Sequence, residues 1–303
     1  MTTATAGGYT DAELTSVVDQ ACRHAGLDPT GARLLRGHTN AVVLLATAPV
    51  VLKAARKGTD PQAVARTTAL VRWLTRSGFP TVALHPGIRQ PFLADGHPVT
   101  YWTYLPQTGT RPVTAADLAA PLKALHRLPP PPVTLRRLDN LTAIHRSLAA
   151  TDTLTPSEHA FLTDRAHTLE HRLNSVEYTL DAGIVQGDPQ HGNALNDGHG
   201  RTVLCDWDTA AHGRPEWDLV TVEIHCRRFG HGRRHWDDFA AAYGFDVTAW
   251  PGYPVLRDIR ELRMITTNAR KTGHTPGTLT EVRRRIQGLR DRDRDGHTVW
   301  NIL

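Results

Sequence analysis

The chain has 303 residues, a net charge of +5 and an apolar share of 40%, enough for a large core or two lobes and incompatible with a disordered chain. No apolar run approaches the length of a membrane span, and Met1-Thr2-Thr3-Ala4-Thr5 lacks the basic start and apolar stretch of a signal peptide, so a cytoplasmic protein is expected. Cys22, Cys205 and Cys226 are too few and odd in number for a disulfide framework, and none lies in a nucleophile motif.

Thr10-Asp11-Ala12-Glu13 is a capping box, and Leu14, Val17, Val18 and Ala21 form one face of a helix ending near Gly26. Residues 33 to 53 alternate apolar runs with turn residues, and Ala48-Pro49 divides Val42–Ala46 from Val50–Leu52. That pattern predicts two or three antiparallel strands. Pro61 to Arg76 reads as a helix, followed by strands around Thr81–Leu84 and Val99–Leu105. Tyr101, Trp102 and Tyr104 suit packing on a strand face.

Beyond Pro106 the pattern turns helical. Leu118, Leu122 and Leu125 line a helix capped by Thr114, with Pro121 expected to kink or break it. Pro129 to Pro132 turns into a loop. Thr155-Pro156-Ser157-Glu158 starts a helix whose core stripe is Leu162, Ala166, Leu169 and Leu173. Asn196 to Gly200 is a turn, and helices over Val255–Lys271 and Thr280–Leu289 close the chain. Arg283-Arg284-Arg285 and Arg290, Arg292 and Arg294, the last three alternating with Asp291, Asp293 and Asp295, read as a solvated helix end. No aromatic residues interleave with them, so nucleic acid is not an expected partner, and neither is a membrane. His225-Cys226, His231 and His235 have no zinc-site spacing and are expected to be scattered surface and core residues.

The most informative stretch is Val185-Gln186-Gly187-Asp188-Pro189-Gln190-His191-Gly192-Asn193, with Asp206 thirteen residues beyond Asn193 in Val203-Leu204-Cys205-Asp206-Trp207. Phosphoryl transfer from ATP needs a carboxylate to orient the attacking hydroxyl and take its proton, and an Asn plus a second Asp to hold Mg2+ against the phosphates. Asp188, Asn193 and Asp206 supply that set in a strand, turn, strand context.

At these residues the chain resembles the aminoglycoside phosphotransferase and choline kinase superfamily. Gly213-Arg214-Pro215-Glu216-Trp217-Asp218-Leu219 is similar to its segment after the metal Asp, where an Asp braces the catalytic loop. Leu125-His126 resembles the end of its first C-lobe helix, Val50-Val51-Leu52-Lys53 its phosphate-contacting Lys, and Leu70 to Pro80 its helix running into a strand. The likeness covers roughly residues 33 to 225. It implies an α+β, protein-kinase-like fold of two lobes: residues 1–105 with a small antiparallel sheet that binds nucleotide, and residues 106–303, mostly helical, with the catalytic loop, metal site and acceptor cleft.

The resemblance also implies ATP and Mg2+ as cofactors, Lys53 on the phosphates, Thr103 to Leu105 at the adenine with Tyr104 among the binding residues, Asp188 as base, and Asn193 and Asp206 on the metal. The chain departs from the family in Gln186, where a His is common, in the single glycine of Arg36-Gly37-His38-Thr39-Asn40, and in Thr67, where a Glu should pair with Lys53. Asp60, Asp206 or the nucleotide then remain as partners for Lys53, with the nucleotide expected to be the principal one.

The expected activity is phosphorylation of a small-molecule hydroxyl: an antibiotic such as an aminoglycoside, conferring resistance, or a sugar, nucleoside or amino-alcohol metabolite. The alternative is a catalytically weak or inactive nucleotide-binding regulatory module. Asp218 stands only twelve positions after Asp206, too near for a protein-kinase activation segment between them. Residues 213 to 263 hold eight acidic residues against eight arginines, no sign of a cleft built for a polycation. A monomer or weak homodimer is expected.

Overall fold

The computed structural model describes residues 9–37, 40–272, 277–291 and 298–303. In chain order these form α1 (Asp11–Ala25), β1 (Arg33–Gly37), β2 (Ala41–Leu44), β3 (Val50–Ala54), α2 (Pro61–Arg76), β4 (Phe92–Ala94), β5 (His97–Thr103), α3 (Ala115–His126), α4 (Asn140–Ala149), α5 (Pro156–Leu173), β6 (Gly183–Val185), β7 (Ala194–Asn196), β8 (Thr202–Leu204), β9 (Ala211–Gly213), α6 (Glu216–Arg228), α7 (Arg233–Tyr243), α8 (Tyr253–Lys271) and α9 (Thr278–Arg290). They gather into two compact units. The first holds residues 1–112, 131–135 and 194–208, and the second holds 113–130, 136–193 and 209–303. The expected division after residue 105 therefore differs in one respect that matters: the segment carrying Asp206 packs with the first unit.

In the first unit five strands pair antiparallel in the order β1-β2-β3-β5-β4. The capping box at Thr10 and Glu13 starts α1, and Gly26 ends it in the left-handed conformation that a Cβ disfavours. Val17, Val18, Ala21 and Cys22 of α1 join Val43, Leu52, Val99 and Tyr101 in one apolar core. The expected strand at Thr81–Leu84 is not regular: Thr81 bridges Leu204 and Leu84 bridges Trp102 singly. Pro80 and Pro86 flank it and offer no amide donors, so the ladder cannot extend. The β7–β8 hairpin docks here through Val82 N–H to Leu204 O and Leu204 N–H to Pro80 O, both 3.0 Å.

In the second unit the core runs along α4, α5, α8 and α9, from Leu141 and Ile144 through Leu162, Ala166 and Leu169 to Ile265, Val282 and Ile286. Leu173, the last residue of the expected α5 stripe, is partly buried against it. The expected break at Pro121 does not occur. α3 runs through it from a Thr114 cap whose amide and hydroxyl both bond Asp117, and Pro121 is buried in a helix that packs on α7. One proline in the body of a helix removes one backbone hydrogen bond, and the packed face offsets that.

The expected solvated Arg run is corrected at Arg285, whereas Arg283 and Arg290 are exposed. Arg285 is 1% exposed, bonded to Glu281 at 2.8 Å and placed 4.5 Å over the Trp300 ring. Arg292, Asp293, Arg294 and Asp295 lie outside the described residues. No helix among the described residues is long and apolar enough to cross a membrane.

Candidate active site

In the second unit the loop after β6 is held from below. Asp218, on the first turn of α6 and fully buried, accepts the Gln186 and Gly187 amides at 2.8 and 2.9 Å. His126 Nε2, at the end of α3, lies 3.0 Å from the same carboxylate, and its Nδ1 meets the Tyr243 hydroxyl at 2.8 Å. Gly187 has φ +87, and a Cβ there would sit 2.4 Å from the Thr209 carbonyl, so only glycine fits.

Gln186, which stands where the family has His, is buried, and its Oε1 accepts the Asp188 amide at 2.6 Å. A side-chain acceptor at this position thus anchors the loop without an imidazole. The loop presents Asp188 with its side chain 27% exposed, and Asn193 Nδ2 donates to the Asp188 carbonyl at 2.9 Å. That bond leaves the Asn193 amide oxygen as the atom suited to a hard cation.

A partner that the sequence did not suggest is Arg260 of α8, whose Nη2 lies 2.5 Å from Asp188 Oδ1. The two are 72 positions apart, and no local pattern marks such a pair.

In the first unit β3 places Lys53 opposite Val42 of β2 and Thr100 of β5. Its ammonium lies 2.7 Å from Asp206 and 2.8 Å from Asp208. Burial opposes the charge on Lys53, but the two carboxylates outweigh it and raise its pKa above the ordinary value. Burial likewise opposes ionisation of Asp206, and the charge and hydrogen bond of Lys53 overcome it, holding that pKa below the usual carboxylate range.

Asp206 has φ +56, and Asn40 Nδ2 donates to Asp208 Oδ2 at 2.8 Å. Thr67 turns its hydroxyl back to the Ala63 carbonyl, and Asp60 caps α2 while pairing with Arg66. Asp208 was missed by the sequence reading, although its Asp-x-Asp spacing from Asp206 was visible. Tyr104 follows β5, half-buried, with its amide on the Pro49 carbonyl at 2.9 Å. The structure thus brings Lys53 to Asp206 within one unit and Asp188 to Asn193 within the other.

The expectation of scattered histidines is corrected at His231 and His235. His191, His231 and His235 group with their ligating nitrogens within 4.8 Å of one another, while His225 stacks on Phe229 at 4.8 Å. The three rings lie in near-parallel planes. His235 Nε2 accepts the Ala115 amide at 2.9 Å and lies 3.1 Å from His191 Nε2. The group is an imidazole stack tying the loop to α7 and the start of α3. Burial and then the two neighbouring rings push His191 down to about 4.

Similar folds are found among small-molecule kinases. A microcompartment-associated aminopropanol kinase is 18% identical, with 93% of this chain and 98% of that one aligned at a TM-score of 0.72. The amicoumacin kinase hAmiN, in a complex with AMP-PNP, Ca2+ and Ami, is 15% identical over 93% and 95% of the chains at 0.69. The choline kinase LicA from Streptococcus pneumoniae is 14% identical over 92% and 99% at 0.68. No curated protein matches the chain. At such identities these structures establish the protein-kinase-like α+β fold. The assignment itself rests on the sequence model of the phosphotransferase enzyme family, which matches residues 30–259 and so takes in Lys53, the braced loop of Asp188 and Asn193, and the Asp206 strand: the chain belongs to that family.

Proposed function

We propose that the chain is an ATP- and Mg2+-dependent O-phosphotransferase acting on a hydroxyl of a small molecule. The observation that carries this reading is the Asp188 loop, whose backbone is fixed by Asp218 and Gln186 so that the carboxylate is presented at a defined position. The residues present fit the cofactor. Lys53 is an ammonium already placed between two carboxylates, and Asp206 and the Asn193 amide oxygen are hard donors of the kind Mg2+ takes. The amicoumacin kinase holds AMP-PNP with Ca2+, which supports a nucleotide and a divalent cation here.

Bound MgATP supplies the transferable phosphoryl group and the cation that neutralises developing charge. Asp188 would orient the acceptor hydroxyl and take its proton at a carboxylate oxygen, Lys53 would face the phosphates, and Asn193 and Asp206 would each offer a hard oxygen to the cation. Tyr104, just past β5, is the proposed adenine contact.

The test is ATP consumption with Mg2+ across sugars, nucleosides, amino alcohols, hydroxy acids and antibiotics, comparing parent and Asp188→Ala. One acceptor class should turn over. The variant should lose about 10²- to 10⁴-fold in rate while binding ATP as the parent does. A variant that keeps more than about a tenth of the turnover would remove Asp188 from the base role.

A further inference from the structure

The equal numbers of acidic residues and arginines in residues 213 to 263 do not cancel at Asp188. Glu216 is taken by the Thr179 and Leu180 amides and Asp218 by those of the loop. Glu223 and Glu261 serve Arg227 and Arg228, and Asp258 serves Arg165 and Arg257.

Arg260 of α8 reaches Asp188 at 2.5 Å, and Arg263 stands one turn further along the same helix. Arg260 is 6% exposed, lies 5.7 Å over the Trp217 ring, and has a buried Nε with no hydrogen-bond partner. Arg263 donates through Nη1 to the Asn140 side chain at 2.8 Å. Burial pushes its pKa down to about 10, and Arg260 and then Arg136 push the same way, with Asp188 opposing. Asp139 is the other nearby carboxylate, and it is occupied in capping α4 through the Thr142 amide.

A buried guanidinium is costly unless its donors and charge are satisfied. Here Arg260 spends one donor on the candidate base and keeps a buried Nε without a partner, Arg263 one turn away meets only the neutral Asn140 amide oxygen, and a planar fork matches an oxyanion bidentately. We infer that Arg260 and Arg263 form an anion subsite beside Asp188, so that the acceptor is a hydroxy compound carrying a carboxylate or phosphate and not a cationic aminoglycoside or amino alcohol. The inference rests on the kinase reading for its word "acceptor", but the anion site itself does not.

Four matched alcohols test it by calorimetry on the full chain: glycerate, glycerol 3-phosphate, glycerol and 3-amino-1,2-propanediol. One or both anions should bind at least about tenfold tighter than the neutral and cationic members, and which of them wins distinguishes carboxylate from phosphate. Arg263→Gln should erase the preference, Arg263→Lys should keep part of it, and Lys53→Ala should leave it intact. Arg260→Gln should also erase it, which covers failure of either variant to fold as checked by circular dichroism.

Equal binding of all four, best binding of the aminodiol, or a preference lost in Lys53→Ala and kept in Arg263→Gln would overturn the subsite. Anion binding through Arg263 with no ATP consumed for any acceptor would sink the kinase reading and leave the subsite standing. Turnover of a neutral or cationic acceptor unaffected by Arg263→Gln would do the reverse.

Discussion

Two carboxylates show how differently the same side chain serves this fold. Asp60, expected as a possible partner for Lys53, is instead an exposed N-cap with Arg66 3.5 Å away. An exposed ion pair contributes about 0 to 1 kcal/mol, and loss of an N-cap costs about 1 kcal/mol. Asp60→Ala should therefore lower stability by roughly 1 kcal/mol and leave ATP affinity unchanged, whereas Lys53→Ala should weaken ATP binding sharply. Titration calorimetry with MgATP separates the two, and a Lys53→Ala protein that binds ATP as tightly as the parent would show that the phosphates are gripped elsewhere. Asp218 is the opposite case, fully buried with two backbone amides and His126 on it. Truncating it strands two buried donors at roughly 1–3 kcal/mol each, so Asp218→Ala should melt lower as well as lose activity. An unchanged urea midpoint would refute the brace.

At the scale of elements, what could be read from the sequence was what local chemistry encodes. The capping boxes at Thr10 and Thr155 and the Asp60-Pro61 start give α1, α5 and α2 their observed beginnings, because those signals act within one turn. The Asp188–Asn193 loop was legible for the same reason. α6 was not legible as an amphipathic helix, because every residue from Glu216 to Cys226 is buried, and the carboxylates of Glu216 and Asp218 meet backbone amides more than thirty positions away. Arg260 on Asp188 was hidden likewise, since that contact comes from tertiary packing, whereas Asp208 carried a local signal in its Asp-x-Asp spacing from Asp206.

The burial of α6 has a consequence for acid stability. His225 is buried on this helix, and that burial, reinforced by the Arg260 charge, depresses its pKa well below 6.5. The unfolded chain takes up the proton first as pH falls below about 6.5. The stabilisation is thus whole above that pH and is lost progressively toward the folded pKa. His225→Gln should lose less stability than the parent between pH 7.5 and pH 5, measured by urea unfolding at each pH. Parallel curves for the two proteins would exclude His225 as a source of the acid sensitivity.

For the whole molecule, the decisive fact is that neither compact unit is a contiguous stretch of chain. Residues 1–112 contain the five-stranded sheet, but their unit is completed by residues 131–135 and 194–208. The last of these carries Leu204 and Trp207, both 1% exposed. Trp207 packs edge-on to Phe79 at 5.8 Å and donates to the Thr81 hydroxyl at 2.9 Å. The same segment, 194–208, also carries both carboxylates that neutralise Lys53. A fragment ending at residue 112 would expose the apolar face under Trp207 and leave Lys53 a half-buried cation without an anion, a loss that marginal stability does not absorb. Fragment 1–112 should therefore show no cooperative thermal transition by circular dichroism. Joining residues 194–208 to its C-terminus through a flexible Gly/Ser linker should restore one, because loop-closure cost rises only slowly with linker length. A sharp melt of 1–112 alone would mean that the sheet folds without the segment that brings Asp206, and that this carboxylate is an addition to the unit, not a part of its core.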